Sequence, residues 1–104
     1  MANWVTVAAA NAVGPGERIV VEVEGEYIAV FNVDGRYYAI GDMCTHDGGP
    51  LADGDLYGHE IECPRHGARF DIRTGQALLP PAVAPTPRYD VRLEGNDIQI
   101  DYHP

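Results

Sequence analysis

Four residues in this chain have types and spacing suited to metal binding. Cys44 and His46 share one short stretch, Cys63 and His66 another, and sixteen residues separate the two. Each stretch offers one thiolate and one imidazole, in the patterns Cys-x-His and Cys-x-x-His. These donors serve both zinc and iron–sulfur centres. A structural zinc site built from two Cys and two His usually pairs like with like, both cysteines on one stretch and both histidines on the other. Here unlike residues are paired, so each stretch can reach both irons of a two-iron group. Mixed Cys and His ligation is characteristic of one kind of [2Fe–2S] centre, in which two His replace two Cys on one iron.

Composition narrows the setting. The chain has 104 residues, a length that suits one domain with one modest core. Sixteen Asp and Glu stand against seven Arg and no Lys, for a formal net charge of −9. Nucleic-acid binding needs a basic face to meet phosphates, so that class is excluded. The acidic balance favours solubility and attraction to a basic protein partner. Met1-Ala2-Asn3-Trp4 lacks the basic start and apolar run of a secretion signal, and no stretch has the length to span a bilayer. The expected compartment is the cytoplasm. There, the only two cysteines, Cys44 and Cys63, are expected to bind metal rather than form a disulfide.

The elements that must position these ligands read as short strands. Residues 4–8 form a first strand, and 9–16 a turn with at most one helical turn inside it. Ile19, Val21 and Val23 alternate with Glu22 and Glu24, which makes 17–24 a half-buried strand. Residues 26–33 are apolar at nearly every position, as in a strand covered on both faces. Asp34-Gly35 is a hairpin signal, and 36–40 returns as the next strand. From Gly41 to Gly67 the pattern becomes glycine-rich with little alternation, and that segment needs another source of order. Residues 60–62 and 68–72 read as short strands, with a turn at Arg73-Thr74-Gly75. Pro80, Pro81, Pro85 and Pro87 make 76–87 a stiff loop rather than a ladder strand. Tyr89, Val91 and Leu93 alternate with Asp90 and Arg92, and Ile98, Ile100 and Tyr102 with Gln99 and Asp101, as in a closing hairpin. The expected fold class is all-β. One domain spans 1–104, with a small antiparallel base from residues 1–41 and 82–104 and an inserted loop-rich subdomain from 42–81.

With these residues in place, the chain resembles the Rieske family, and within it the small soluble Rieske-type ferredoxins. The resemblance covers the strands, both ligand stretches, a proline-bearing third loop at Pro80-Pro81-Ala82 and the closing hairpin. It implies that Cys44 and Cys63 hold the inner iron of one [2Fe–2S] cluster and that His46 and His66 hold the outer iron. Gly48, Gly49 and Gly67 would let backbone N–H groups approach the cluster sulfurs, while Pro50 and Pro64 restrict the loops. Arg65, between two ligands, would tune the cluster or touch a partner. Arg69 and Arg73 read as solvated surface charges, and His59 and His103 as exposed surface residues.

Departures from the pattern define the kind of Rieske protein. The respiratory subunits carry extra cysteines, joined in a disulfide, where this chain has Gly49 and Arg65. They also place a Ser and a Tyr, whose hydroxyls donate toward cluster sulfurs, where this chain has Ala68 and Phe70. A Rieske oxygenase subunit would continue into a large domain with a mononuclear iron. The resemblance therefore implies a monomeric one-electron carrier and not an enzyme. It would pass electrons from a flavin-dependent NAD(P)H reductase to a terminal oxygenase, such as an aromatic-ring hydroxylating dioxygenase. The alternative is a small Rieske subunit of a nitrite reductase or another multi-component oxidoreductase.

Overall fold

The computed structural model describes residues 2–44, 49–65, 67–80 and 84–103. In chain order the strands among them are β1 (Trp4–Ala9), β2 (Arg18–Val23), β3 (Glu26–Val33), β4 (Arg36–Gly41), β5 (Leu56–Tyr57), β6 (Glu60–Glu62), β7 (Arg69–Asp71), β8 (Ala77–Leu79), β9 (Arg88–Tyr89), β10 (Val91–Glu94) and β11 (Asp97–Asp101). They make three antiparallel sheets in the orders β1-β11-β10, β2-β3-β4-β9 and β5-β6-β7-β8. The all-β reading holds, and a single 3-10 turn at Ala10–Ala12 fills the predicted turn before Gly14.

β3 explains the layering. Its Ile28 and Val30 point into a core shared with Ile98, Ile100 and Tyr102 from the end of the chain. Ala29 and Phe31, on its other face, point into a second core with Leu51, Ile61, Phe70 and Ile72. Successive side chains of a strand take opposite faces, so a strand buried on both faces must be apolar throughout. β4 repeats the division, with Ala39 in the first core and Ile40 in the second. The middle sheet is thus sandwiched between the other two.

The turns follow from residue type. Glu24-Gly25 and Asp34-Gly35 both have positive φ at each residue (51° and 85°, 53° and 85°), the conformation that two-residue hairpins require. Asn32 is the buried polar residue of β3. Its side chain donates to the Val13 carbonyl at 2.8 Å and accepts from the Gly35 N–H at 2.9 Å, so burial leaves both ends satisfied.

Three strand expectations need correction. Residues 76–87 are not all loop, because Ala77–Leu79 pairs with β7 before the first proline is reached. Leu56–Tyr57, inside a polar run with no alternation, pairs with β6. The run from Tyr89 to Leu93 is not one strand. Arg88–Tyr89 pairs with β4, the chain leaves that sheet at Asp90, and Val91–Glu94 pairs with β11.

Thr86 and Asp71 fix the return from the third sheet to the middle one. Buried Thr86 donates its hydroxyl to the Gly41 carbonyl at 3.2 Å and its N–H to the Gly75 carbonyl at 2.8 Å. Asp71 caps the turn after β7, accepting from the Arg73 backbone N–H at 2.8 Å and from its guanidinium at 3.1 Å. Burial alone would push the Asp71 carboxyl up, but the hydrogen bonds and charge of Arg73 hold it below the usual carboxylate range. A carboxyl lowered in the folded state contributes stability above its unfolded pKa, near 3.9, and loses it as pH falls through the folded value. Equilibrium unfolding across pH should therefore show the advantage of the wild type over Asp71→Asn as largest above about pH 4 and shrinking in stronger acid. A pH-independent difference would contradict this account.

Candidate metal centre

Both cysteines sit where a strand gives way to a tight loop. β4 ends at Gly41, and Cys44 opens a loop closed by its own N–H donating to the Gly49 carbonyl at 2.7 Å. β6 ends at Glu62, and Cys63 opens a loop closed in the same way, its N–H donating to the Ala68 carbonyl at 2.6 Å. The two loops, 44–49 and 63–68, thus share length and closure. Each carries one of the predicted histidines. His46 and His66 lie outside the described residues, as does Pro81 of the predicted third loop.

The thiols are inside. Cys44 is 0% and Cys63 1% exposed, and both belong to the second core with Leu51, Ile61, Ala68 and Phe70. They are not joined in a disulfide. The donor set therefore fits an iron–sulfur group. Two soft sulfur donors stand at the roots of matched loops, in an apolar setting closed to solvent, and an imidazole follows each a few residues along. Deprotonating both thiols in such a core costs much unless a metal takes the charge.

The glycines act differently from one another. Gly67 has φ of +73° and nothing near its would-be Cβ, so its role is conformational. Its N–H donates to the Cys63 carbonyl at 3.1 Å, which supports the turn. Gly54 has a steric role, since a Cβ there would lie 1.7 Å from the carbonyl oxygen of Glu62. Pro50 and Pro64 are exposed at the loop surfaces.

Other predicted residues are placed as follows. Arg65 is exposed beside Cys63. Arg69 and Arg73 are not simply solvated charges. Arg69 pairs with Glu62 at 3.2 Å and Glu60 at 3.6 Å and lies over the Tyr57 ring, 4.3 Å from its centroid. Arg73 grips Asp71 through two nitrogens. His59 is half-buried rather than exposed, edge-on against Tyr38 with ring centroids 5.5 Å apart. His103 is exposed, as expected, and bonds Asp101 at 2.8 Å.

Sequence reasoning missed two residues that shape the loops. Asp42 accepts from the N–H groups of Leu51 and Ala52 at 2.9 and 2.8 Å. Arg18, on β2, donates to the Ala52 carbonyl at 3.0 Å and to the Gly54 carbonyl. An Asp two residues before a loop cysteine is a visible turn signal, whereas nothing in an alternating strand marks Arg18.

Comparison with known proteins agrees with this geometry. The model of the Rieske [2Fe–2S] domain matches residues 3–90. The ferredoxin component of the naphthalene 1,2-dioxygenase system of Pseudomonas aeruginosa is 40% identical over 95% of both chains. The solved ferredoxin of carbazole 1,9a-dioxygenase from Nocardioides aromaticivorans IC177 superposes with a TM-score of 0.90 at 35% identity, covering 94% of this chain and 96% of that one. A ferredoxin in a complex of reduced oxygenase and oxidized ferredoxin of carbazole 1,9a-dioxygenase superposes with a TM-score of 0.88 at 33% identity, covering 94% and 92%. Together with these matches, the buried thiols at the roots of two matched loops define an iron–sulfur electron carrier. The chain belongs to the Rieske [2Fe–2S] domain family, as a ferredoxin-type member whose work is electron transfer rather than catalysis.

The surroundings of the thiols bear on potential. Ala68 and Phe70 are both fully buried in the core that holds Cys44 and Cys63, and neither has a hydroxyl to donate. A donor to a cluster sulfur binds more strongly after reduction, when the sulfur is more negative. If each bond differs by roughly 1–2 kcal/mol between redox states, each hydroxyl raises a one-electron midpoint by about 40–90 mV. Lacking both, the protein should sit toward the low end of the Rieske range, near roughly −150 mV. Potentiometry should find the midpoint of an Ala68→Ser, Phe70→Tyr double variant raised. An unchanged midpoint would overturn the argument.

Proposed function

We propose that this chain shuttles single electrons from a flavin-dependent NAD(P)H reductase to a terminal oxygenase of the aromatic-ring hydroxylating kind. Cys44 and Cys63 hold the inner iron of its [2Fe–2S] cluster, and His46 and His66 hold the outer one. Residues 42–81 form the cluster-binding subdomain, and 1–41 with 82–104 form the base. That division is supported by sheet membership, since β5 to β8 pair only among themselves while both ends of the chain build the other two sheets. The cytoplasm is the compartment where both proposed partners would be met. The observation that carries the reading is the pair of buried thiols at the roots of loops 44–49 and 63–68, in a chain 40% identical to a dioxygenase-system ferredoxin. That relationship favours the shuttling carrier over a fixed small subunit of a nitrite reductase.

Analysis of the purified protein should find two irons and two sulfides per chain, as the cluster formula requires. Cys63→Ser and His66→Ala should each abolish or badly destabilise the cluster, because metal binding and local folding are linked. A stable wild-type spectrum from His66→Ala would refute the ligand set.

Docking should follow charge. With a net charge of −9, the carrier is expected to meet basic partner surfaces, and its association rates should fall as salt rises. Steady-state turnover in a reconstituted system should decline with ionic strength, and a flat profile would count against electrostatic docking.

A further inference from the structure

The polar contacts of residues 42–62 form one connected path between the two thiol-bearing loops. It starts at Asp42, two residues before Cys44, whose carboxylate oxygen Oδ1 accepts from the N–H groups of Leu51 and Ala52 at 2.9 and 2.8 Å. The Asp42 N–H is itself anchored to the Tyr27 carbonyl of β3 at 2.9 Å. From Ala52 the path passes to Arg18, whose Nε donates to the Ala52 carbonyl at 3.0 Å and whose Nη2 donates to the carbonyl of Gly54. Gly54 then lies so close to Glu62 that a Cβ would fall 1.7 Å from the Glu62 carbonyl oxygen. Glu62 immediately precedes Cys63, and its N–H donates to the Asp55 carbonyl at 2.9 Å.

Residues 51–55 therefore form a strap with fixed attachments at both ends. One end is held at the root of the Cys44 loop and the other at the root of the Cys63 loop. Arg18 grips its middle from the base. The strap also closes on itself, Gly54 N–H to Leu51 carbonyl at 3.0 Å, and drives the fully buried Leu51 side chain into the core that holds both thiols.

We propose that Asp42, Arg18 and Gly54 are positioning residues that set the spacing between the Cys44 and Cys63 loops through this strap, and so set the geometry in which the cluster is held. The inference rests on the ligand set proposed above. Asp42 acts as a paired hydrogen-bond acceptor, not as a charge, because both of its contacts on the strap are backbone N–H groups. Arg18 acts as a two-carbonyl clamp, which a planar guanidinium can serve and a single point donor cannot. Gly54 acts by having no side chain.

The test uses the reconstituted holoprotein with Asp42→Ala, Asp42→Asn, Arg18→Met and, as a control for general destabilisation, Ile98→Val in the other core. Two quantities are read. One is the rate of cluster loss to an iron chelator. The other is the electron paramagnetic resonance signature and visible circular dichroism of the cluster, which report ligand geometry and do not respond to a distant loss of stability. Asp42→Ala removes both hydrogen bonds to the strap N–H groups and should lose its cluster on the order of tenfold faster, with altered spectra. Asp42→Asn keeps Oδ1 and should restore both towards wild type. Arg18→Met keeps the apolar stem and should shift both in the same direction as Asp42→Ala. Ile98→Val should leave the spectra unchanged.

Wild-type spectra and loss rate in both Asp42→Ala and Arg18→Met would overturn the proposal. So would failure of Asp42→Asn to restore them, or the same spectral change in Ile98→Val. Should Asp42→Ala not fold, the Asp42→Asn and Arg18→Met results decide. Failure of the ligand set is separately visible, because Cys63→Ser would then load a normal cluster whatever the Asp42 variants do.

Discussion

The structure depends on one constraint, that β3 must be buried on both faces. Ile28 and Val30 belong to one core, Ala29 and Phe31 to the other. A slip of one residue in its pairing would exchange the two sets and turn every side chain to the wrong core. Register is pinned at both ends of the strand, by hairpins whose residues accept positive φ. Each fully buried aliphatic or aromatic side chain contributes roughly 1.5–3 kcal/mol, so the alternating strand holds two layers together at once. The thiols inherit their position from this. Cys44 follows β4, the partner of β3, and both Cys44 and Cys63 complete the core built on Ala29, Phe31 and Ile40.

Placing the thiols inside that core couples the fold to the cofactor. A thiolate in apolar surroundings is costly, and coordination offsets the cost. Among the described residues, the Cys44 and Cys63 N–H groups close their own loops and the Gly67 N–H supports the second. Local chain geometry therefore serves to hold the loops shut. With Ala68 and Phe70 the side chains add no hydroxyl donors. The result is an environment that favours the oxidised, less negative state, which suits a carrier that must give its electron away.

Much of this was legible in the sequence where the pattern was periodic or chemical. The apolar run 26–33, the Asp34-Gly35 turn and the closing hairpin were each read from residue type. The paired Cys and His stretches pointed to the cluster directly. What was illegible was made by tertiary contact. Leu56–Tyr57 and Ala77–Leu79 are too short to show a period and are strands only because β6 and β7 lie beside them. The change of sheet at Asp90 preserves alternation on both sides, so the sequence reads as one strand. His59, Arg69 and Arg73 looked like surface residues because their partners, Tyr38, Tyr57, Glu62 and Asp71, are defined by the pairing of sheets and turns, not by the local pattern.

Charge placement completes the picture. Arg36, Arg73, Arg88 and Arg92, four of the seven arginines, line adjoining hollows around Tyr37 and Tyr38. Arg36 begins β4, and the strand then runs to Gly41 and on toward Cys44. At about 3.3 Å per residue, Arg36 stands roughly 16 Å along the strand from Gly41. Near the loop roots the acidic Asp42, Asp53, Asp55 and Glu62 are met by Arg18, which donates to the Ala52 and Gly54 carbonyls, and by Arg69, which pairs with Glu62. The acidic excess is shared along the chain, since residues 42–81 hold seven Asp and Glu against three Arg and the remainder nine against four. The net charge of −9 therefore sets how strongly a basic surface draws the molecule, and the paired arginines at the loop roots leave no single charged end.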